Sequence, residues 1–283
     1  MHPALDRLSA SRPGHEGWAD VGSGRRHAGF DPDVPSTARI YDYILGGKDN
    51  FAADRAAAEN LMALQPSTRE LAQANRRFLV RAVELLARSG IRQFVDVGAG
   101  IPTSPNVHEI VRRHQPDARV VYVDNDPVVL AHTRALRADV GVSAVDGDLR
   151  RPEQVLDDPE LQKAVDFSEP VGLLLVSVLH FVRREEDPAA LIRRYTQRLA
   201  PGSYLALSIA SAGTLPPEEV AKAEAVYANA SSPLTLHSPA AVAEWLAGYE
   251  LLEPGLVPTV KWRADEPEPA TLGSALAAVV RIP

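Results

Sequence analysis

The chain has 283 residues, no cysteine and a formal net charge of −7 at pH 7. This length suits one large domain, or one domain with an added subdomain. The lack of cysteine excludes disulfides and thiolate metal sites, and the acidic balance argues against nucleic-acid binding, which normally needs a basic surface. No apolar run approaches the ~20 residues that span a bilayer. Since no signal-peptide core is present either, we expect a cytoplasmic protein without a membrane partner.

The first 90 residues divide into two predicted parts. Residues 1–35 are rich in Gly, Pro, Ser, His and Arg and lack a sustained apolar period, which predicts a disordered or loosely attached tail. Residues 36–90 carry helical spacing of apolar residues, interrupted at Gly46-Gly47. Such a segment in front of a sheet can cover the mouth of a nucleotide site, so we predict a helical lid over 36–90.

From residue 91 onward, short apolar runs alternate with helical patterns. The predicted helices of the whole chain are a short one that ends at Gly46, then 54–64, 68–89, 106–114, 126–138, 187–199, 216–229 and 239–247. The predicted strands are 93–97, 119–124, 142–145, 171–178, 203–209, 249–252 and 274–281. This alternation favours an open, doubly wound α/β fold with a mostly parallel sheet over 91–283. The last two strands have no clear helix between them, which predicts an antiparallel hairpin at the sheet edge.

A glycine loop directly after the first strand marks the ligand site. The stretch 94–103 reads Phe-Val-Asp-Val-Gly-Ala-Gly-Ile-Pro-Thr. Gly98 and Gly100 let a ligand lie against the main chain, and at a strand–loop–helix junction that ligand is usually a nucleotide. A dinucleotide loop would carry a third glycine, but Thr103 stands there, which counts against a nicotinamide-dependent oxidoreductase.

Acidic residues follow three successive strands. Asp96 and Asp124 lie at the ends of the first two strands, and Asp148 follows the third. Asp124 can accept hydrogen bonds from ribose hydroxyls, and Asp148 can accept one from the adenine amine. This negative rim would repel a pyrophosphate but suits the cationic S-adenosylmethionine. These signals also have structural alternatives. The glycine loop could be a plain turn, and the nearby acids Asp126 and Asp146 could be a helix cap and a turn residue.

The acceptor of the methyl group should lie beyond the fourth strand. His180 follows that strand and is the candidate base or acceptor-orienting group, with simple packing as an equal alternative. Ala99 and Asn125 adjoin predicted cofactor residues, and Ser177 lies near the end of the fourth strand; all three are included in the predicted cofactor set.

Five residues of the predicted lid are candidates for contacts with ligands. Tyr41, Tyr43 and Lys48 could line the acceptor side, with helix packing as the alternative for the tyrosines. Asn75 and Arg76 could reach the cofactor carboxylate, because the arginine fork matches a carboxylate, with a solvated helix face as the alternative. No metal-ligand spacing is found, so we predict no metal site.

Several motifs resemble those of an actinobacterial class I S-adenosylmethionine-dependent methyltransferase family that was formerly a domain of unknown function. The motifs are Ala-Arg-Ile-Tyr-Asp-Tyr-Ile-Leu-Gly-Gly-Lys-Asp-Asn-Phe at 38–51, Asn-Arg-Arg-Phe-Leu at 75–79, Gly-Ile-Arg-Gln-Phe at 90–94, Val-Tyr-Val-Asp-Asn-Asp-Pro at 121–127 and Trp-Arg at 262–263. The similarity covers about residues 35–283, and the Leu-Gly-Gly-Lys-Asp-Asn-Phe run is its most specific part. One departure is Ser104-Pro105, where the family has a more flexible link.

The resemblance implies a Rossmann-like class I methyltransferase fold, with a seven-stranded sheet whose last strand is antiparallel. It also implies that Asp96, Gly98 and Gly100 lie along the methionine part of the cofactor and Asp124 on its ribose, while Asp148 with Leu149 holds the adenine.

The sequence therefore predicts an S-adenosylmethionine-dependent methyltransferase that acts on an unidentified small-molecule acceptor. The alternative is a non-catalytic protein that binds the same cofactor as a sensor or partner subunit. The oligomeric state is left open between a monomer and a homodimer, and no nucleic-acid partner is expected.

Overall fold

The computed structural model describes residues 30–136, 140–264 and 275–283. Three predictions fall wholly or partly outside these ranges. They are most of the tail at 1–35, the helix end at 138 and the strand start at 274.

Ten helices and eight strands make up the described residues. The helices are α1 Thr37–Ile44, α2 Ala52–Leu64, α3 Thr68–Arg88, α4 Val107–Arg112, α5 Pro127–Ala135, α6 Pro152–Leu156, α7 Pro159–Ala164, α8 Pro188–Thr196, α9 Pro217–Val226 and α10 Pro239–Trp245. The strands are β1 Gln93–Val97, β2 Arg119–Asp124, β3 Val142–Asp146, β4 Gly172–Val176, β5 Tyr204–Ala210, β6 Glu250–Leu251, β7 Val257–Pro258 and β8 Ala275–Arg281.

The strands form one sheet in the order β3-β2-β1-β4-β5-β8-β6, with β7 paired to β8. The first five strands are parallel, and β8 runs antiparallel to both β5 and β6. The predicted antiparallel last strand is thus confirmed, but it lies inside the sheet, and β6 forms the edge. The prediction of seven strands is wrong by one, because the two-residue β7 was not foreseen.

Apolar side chains on both faces of the sheet explain why its strands are buried. All five residues of β1 are buried, as expected for a parallel strand covered on both sides. On one face, Val95 and Val97 pack with residues of α6, α7, α8 and α10. On the other face, Phe94 packs with residues of α3 and α4. The alternation follows from the two-residue period of a strand.

A third apolar cluster joins the N-terminal helices to α9. Ile40 and Ile44 of α1 and Ala58 of α2 pack with Tyr227 and Leu234. By contrast, α3 packs directly on the sheet through most of its buried residues. The helix α3 thus packs mainly in the layer on the sheet, whereas α1 and α2 pack in the cluster with α9. The division between 36–90 and 91–283 stays a prediction.

Candidate functional site

The glycine loop after β1 has a left-handed backbone conformation that favours glycine. Gly98 and Gly100 have φ angles of +73° and +66°, in the left-handed region that glycine adopts at little cost. A Cβ at Gly98 would lie 2.2 Å from Cγ1 of Val178, whereas a Cβ at Gly100 would meet nothing within 4 Å. Gly98 is therefore required by packing, and the open side of Gly100 leaves room for a ligand against the main chain.

Asp124 at the end of β2 fastens this loop. Its carboxylate accepts a hydrogen bond of 2.9 Å from the amide of Gly100 and another of 2.9 Å from the amide of Asp126. Burial is the largest influence on this group and raises the pKa of Asp124 to about 6. A carboxylate has about four acceptor positions, so this side chain retains capacity for further donors.

Asp96 is a buried carboxylate without a hydrogen-bond partner among the described residues. Burial raises the pKa of Asp96 to about 7, the positive charge of Arg76 opposes that rise, and the negative charge of Asp124 adds to it. A buried carboxylate left unpaired is costly. The position thus fits a cationic ligand group that would pair with it.

Arg76 braces the loop from the side of α3. Its Nη2 atom donates to the carbonyl oxygens of Thr103 at 2.6 Å and Pro105 at 2.8 Å. The arginine is therefore half-buried against the loop, which excludes the alternative of a solvated helix face. The structure does not test its predicted contact with a cofactor carboxylate.

Asp148 after β3 already has a partner. Nε and Nη2 of Arg150 lie 2.9 Å and 2.7 Å from its two carboxylate oxygens. Burial opposes ionisation here, but the hydrogen bonds and charge of Arg150 outweigh it, and the pKa of Asp148 is lowered. The neighbouring Leu149 is held by its carbonyl, which accepts a bond of 3.0 Å from the hydroxyl of Tyr195. Among the predicted cofactor residues, Asp148 therefore has the fewest free positions at which its carboxylate could accept hydrogen bonds from a ligand.

A directional chain of hydrogen bonds links β4, β5, α3 and α1. The amide of Ser177 donates to Oγ of Ser208 at 3.0 Å, and that hydroxyl donates to Oδ1 of Asn75 at 2.5 Å. Nδ2 of Asn75 donates to the hydroxyl of Tyr41 at 2.9 Å, which donates to the carbonyl of Ala72 at 3.1 Å. Ser177 has a φ of +61°, a strained value for a residue with a side chain. The chain of bonds holds it there.

His180 lies in a short 3-10 turn after β4 and is buried. Its Nδ1 atom accepts a hydrogen bond of 3.1 Å from the amide of Ala210. An imidazole nitrogen that accepts a hydrogen bond carries no proton, so the neutral ring bears its proton on Nε2. Burial, with a smaller contribution from His237, lowers the pKa of His180 to about 3. The ring is thus a neutral hydrogen-bond donor.

A cavity of about 350 Å³ lies between the N-terminal helices and the ends of β4 and β5. Its polar inner residues are Tyr41, Asn75, Ser177, His180 and Ser208. Most of its remaining wall is apolar and is formed by Ile44, Leu61, Ala63, Leu64, Leu71, Ala72, Ile209, Ala210, Leu215, Ala223, Tyr227, Leu234, Leu236 and Ala275. The other polar wall residues are Gln65, Thr68, Ser211, Glu219 and Lys222. A volume of this size is at the lower end of the ~300–1,000 Å³ that is usual for small-molecule sites.

Four of the predicted site residues, Tyr41, Asn75, Ser177 and His180, line this cavity, and the others do not. Tyr43 donates from its hydroxyl to Glu59 at 3.0 Å and joins α1 to α2. Lys48 and Asn125 are exposed. Tyr41 does line the cavity, so the structure separates the two tyrosines that the sequence had treated alike.

A buried ionic network that the sequence did not reveal ties α1 and α2 to the sheet. Nε of Arg39 lies 2.8 Å from Oδ2 of Asp54, and its Nη1 lies 3.6 Å from Oδ2 of Asp126. The hydroxyl of Ser36 also donates to Asp126. Asp126 caps α5 by accepting from the amide of Val128 at 2.8 Å, so its structural alternative, a helix cap, is confirmed. The sequence feature that could have revealed this network is the charged Arg39 beside the apolar Ile40 in α1.

The run Leu-Gly-Gly-Lys-Asp-Asn-Phe is a turn built around Asp42. The Asp42 carboxylate accepts hydrogen bonds from the amide of Asp49 at 3.0 Å and from Nδ2 of Asn50 at 2.8 Å. A Cβ at Gly47 would lie 1.9 Å from that carboxylate. The most specific motif of the sequence therefore has a structural basis in the turn that joins α1 to α2.

The described residues offer neither a metal site nor a membrane-spanning helix. Residues 30–136, 140–264 and 275–283 contain no group of three or more His, Asp or Glu side chains arranged to hold a metal ion. Over the same ranges, no helix combines the length and apolar character needed to cross a membrane.

The reversed strand between β5 and β6 and the glycine loop between acidic strand ends define a class I methyltransferase fold. A family model described as S-adenosyl methyltransferase matches residues 23–282. The chain belongs to this family: it is an S-adenosylmethionine-dependent methyltransferase, and S-adenosylmethionine is its cofactor.

Two solved structures are similar to this chain over most of their length. A candidate methyltransferase from Thermobifida fusca YX is 39% identical, with a TM-score of 0.83, over 88% of this chain and 96% of that one. A DUF574 family protein from Streptomyces avermitilis MA-4680 is 41% identical, with a TM-score of 0.84, over 89% of this chain and 99% of that one. No curated protein matches this chain.

The residues at the carboxyl end of β1 fit this cofactor. Asp96 is a buried, unpaired carboxylate, which matches the ammonium group of the methionine part. Gly100 leaves open space beside the main chain, which matches a ligand that lies along the loop. The Asp96 carboxylate would not suit the pyrophosphate of a dinucleotide, because like charges repel.

Proposed function

We propose that this methyltransferase acts on a small-molecule acceptor bound in the cavity between α1, α2, α9 and the ends of β4 and β5. The observation that carries the proposal is that this cavity shares Ser177 and Asn75 with the predicted cofactor set. An acceptor held there would lie next to the methyl donor. Alignment of two reactants supplies much of the rate acceleration of a displacement.

In this proposal Asp96, Gly98, Ala99 and Gly100 hold the methionine part of the cofactor and Asp124 its ribose. When bound, the cofactor supplies an electrophilic methyl group on a sulfonium. The roles of Leu149, Asp148, Asn125 and Arg76 stay predictions from the sequence, as do the cytoplasmic location and the absence of a nucleic-acid partner.

His180 takes the role of an acceptor-orienting group instead of a base. Its Nδ1 atom is occupied by the amide of Ala210, and the neutral ring donates from Nε2. A proton acceptor must have a free lone pair within reach of the proton that it abstracts. The alternative of packing alone is less favoured because His180 lines the cavity.

Methyl-labelled S-adenosylmethionine in a cell extract tests the proposal. We expect the label to appear in molecules below ~1 kDa, within the size that a site of this kind holds. Ala223→Phe, which fills the cavity from α9, should abolish transfer without changing the affinity for S-adenosylhomocysteine. Ala221→Phe on the exposed side of the same helix is the control and should behave as wild type. Label on macromolecules alone, or no label at all, would refute the proposal; the second result would favour the sensor alternative.

A further inference from the structure

The hydrogen-bonding capacity of the cavity's inner end restricts the chemistry of the acceptor. Each polar side chain there can be assigned its donors and acceptors from the contacts that it already makes. Ser208 donates to Asn75 and accepts from the amide of Ser177, so its proton is committed. Tyr41 donates to the carbonyl of Ala72 and accepts from Asn75, so its proton is committed too.

Two N–H donors remain at this end, beside the hydroxyl of Ser177, which can donate or accept. His180 has its proton on Nε2, since Nδ1 accepts from Ala210. Nδ2 of Asn75 has two hydrogens, of which one is given to Tyr41. The described residues that form this end include no carboxylate. An acceptor atom with lone pairs is therefore satisfied here, whereas an ammonium group would find no negative partner.

The ionisable groups around the cavity add no negative charge to its inner end. Glu219 and Lys222 are exposed residues of α9 on the outer part of the wall. They lie three residues apart on one helix, where opposite charges are neighbours. Burial raises the pKa of the Tyr41 hydroxyl, so that side chain stays protonated at neutral pH.

We propose that the acceptor is an apolar molecule of one or two rings with an acidic hydroxyl, a phenol or an enol, that binds as its oxygen anion. This inference rests on the proposed use of the cavity. An oxygen anion can accept from both His180 and Asn75, whereas a neutral ring nitrogen has one lone pair. The proton of the hydroxyl leaves to solvent before transfer. The oxygen then forms the new bond to the methyl carbon with its own electron pair, and the carbon–sulfur bond breaks with its pair remaining on sulfur.

Spectroscopy on the full chain saturated with S-adenosylhomocysteine, which carries no methyl group to transfer, tests this inference without turnover. The probes are 4-nitrophenol, whose anion has its own absorption band, 4-nitroaniline and 4-nitroanisole. We expect 4-nitrophenol to bind as the anion below its solution pKa, about 10–100-fold more tightly than the amine, because hydrogen bonds to charged groups are worth about 1.5–3 kcal/mol. His180→Asn keeps an acceptor for the amide of Ala210, but its NH2 group ends short of the position of Nε2 and leaves no donor there. It should lose most of this preference, whereas His180→Gln, with a donor near the Nε2 position, should recover part of it.

The outcomes separate this inference from the proposed function. If the amine binds as well as the phenol, or neither binds, the acceptor class is wrong. If the anisole binds to wild type and not to Ala223→Phe, the cavity still holds small molecules and the proposed function survives. If no probe responds to Ala223→Phe while S-adenosylhomocysteine still binds, both fail. The comparison of probes on the wild type stands even if the His180 variants do not fold.

Discussion

At the scale of single residues, the two loop glycines do different work. A side chain at Gly98 would collide with Val178, but a side chain at Gly100 would project into open space. Both positions share a left-handed backbone, so backbone strain alone does not distinguish them. The difference lies in what each glycine faces, which is the side chain of Val178 for Gly98 and open space for Gly100.

Alanine substitutions should separate these two roles. Gly98→Ala should lower the free energy of unfolding by about 2–4 kcal/mol, because overpacking adds to left-handed strain. Gly100→Ala should cost only about 1–2 kcal/mol of stability but weaken S-adenosylhomocysteine binding by about 10–100-fold. Urea unfolding and calorimetric titration measure the two effects. Gly90→Ala, with a φ of +93° and no neighbour within 4 Å, is the control for strain alone. Equal stability losses in all three variants would contradict the assignment.

The titration of Asp96 should make both stability and cofactor affinity depend on pH. Its pKa is about 7 in the folded protein against an ordinary value of 3.8. The folded state therefore binds more protons than the unfolded state between about pH 4 and pH 7, and the contribution of this group to stability falls as pH rises through that window. An ammonium ligand pairs with the ionised form, so affinity for S-adenosylhomocysteine should rise from about pH 5 to pH 8.

Thermal unfolding and calorimetric titration across this pH range check that prediction. Asp96→Asn should remove most of the pH dependence of the affinity and leave a smaller contribution from Asp124, whose pKa is about 6. Asp148→Asn is the matched control, because the pKa of Asp148 is lowered and the group stays ionised throughout the window. An affinity that does not change with pH in the wild type would refute the pairing.

At the scale of elements, the buried Arg39–Asp54 pair joins α1 to α2. Asp54 accepts from Nε of Arg39 and from the amides of Ser36 and Phe51, each at 2.8 Å. Both members of the ion pair are almost fully buried. Removing Asp54 takes away the nearer of the two carboxylates that face the buried guanidinium of Arg39, and the loss of a partner by a buried charge is strongly destabilising.

Asp54→Ala should therefore lower the free energy of unfolding by about 3–5 kcal/mol. Hydrogen exchange should accelerate most at the amides of Ser36 and Phe51, which lose their acceptor. Arg55→Ala, at an exposed neighbour in the same helix, should change stability by less than about 1 kcal/mol. The double variant Arg39→Met with Asp54→Leu should be more stable than Asp54→Ala, and a double variant that is less stable would contradict the explanation.

The sequence predicted the elements best where the pattern was local. The bounds of β1 and β2 agree with the prediction, because continuous apolar runs end there at a glycine turn and an aspartate. Helix ends differ by a few residues, as for α4, since fraying turns carry weak signals. The strand β7 was missed because two residues that include a proline have no recognisable period.

At the scale of the whole molecule, α3 joins the sheet to the N-terminal helices. Its Ala72 packs in the cluster with α1 and α9, whereas Phe78 and Leu86 pack in the cluster on the sheet. Because one helix contributes to both clusters, neither can unfold without exposing part of the other.

We therefore expect a single cooperative unfolding transition in calorimetry. S-adenosylhomocysteine at 100 times its dissociation constant should stabilise the fold by about 2.7 kcal/mol and shift that one transition as a unit. Urea unfolding followed by tryptophan fluorescence should coincide with unfolding followed by circular dichroism. Two separable transitions would show that α1 and α2 fold independently of the sheet.

The candidate site was predictable in part. The acids and glycines at the strand ends lie within local motifs, so the sequence located them. Ser208 was missed, although a polar residue in an otherwise apolar strand was its signal, because its partner Asn75 is 133 residues away in the chain. The partner of Asp148 was missed although Arg150 lies only two residues further on, since nothing in the spacing fixes where that guanidinium points.

The contact between Asp42 and Gly47 has a consequence for how the family can diverge. A Cβ at position 47 would lie 1.9 Å from the Asp42 carboxylate, so a relative with a side chain at 47 needs a shorter residue at 42. The two positions should therefore covary among descendants of one ancestral turn. A substitution at 42 or 47 alone would disrupt the turn and be selected against. A pair of matched substitutions at both positions could be retained and would then distinguish one branch of the family from another.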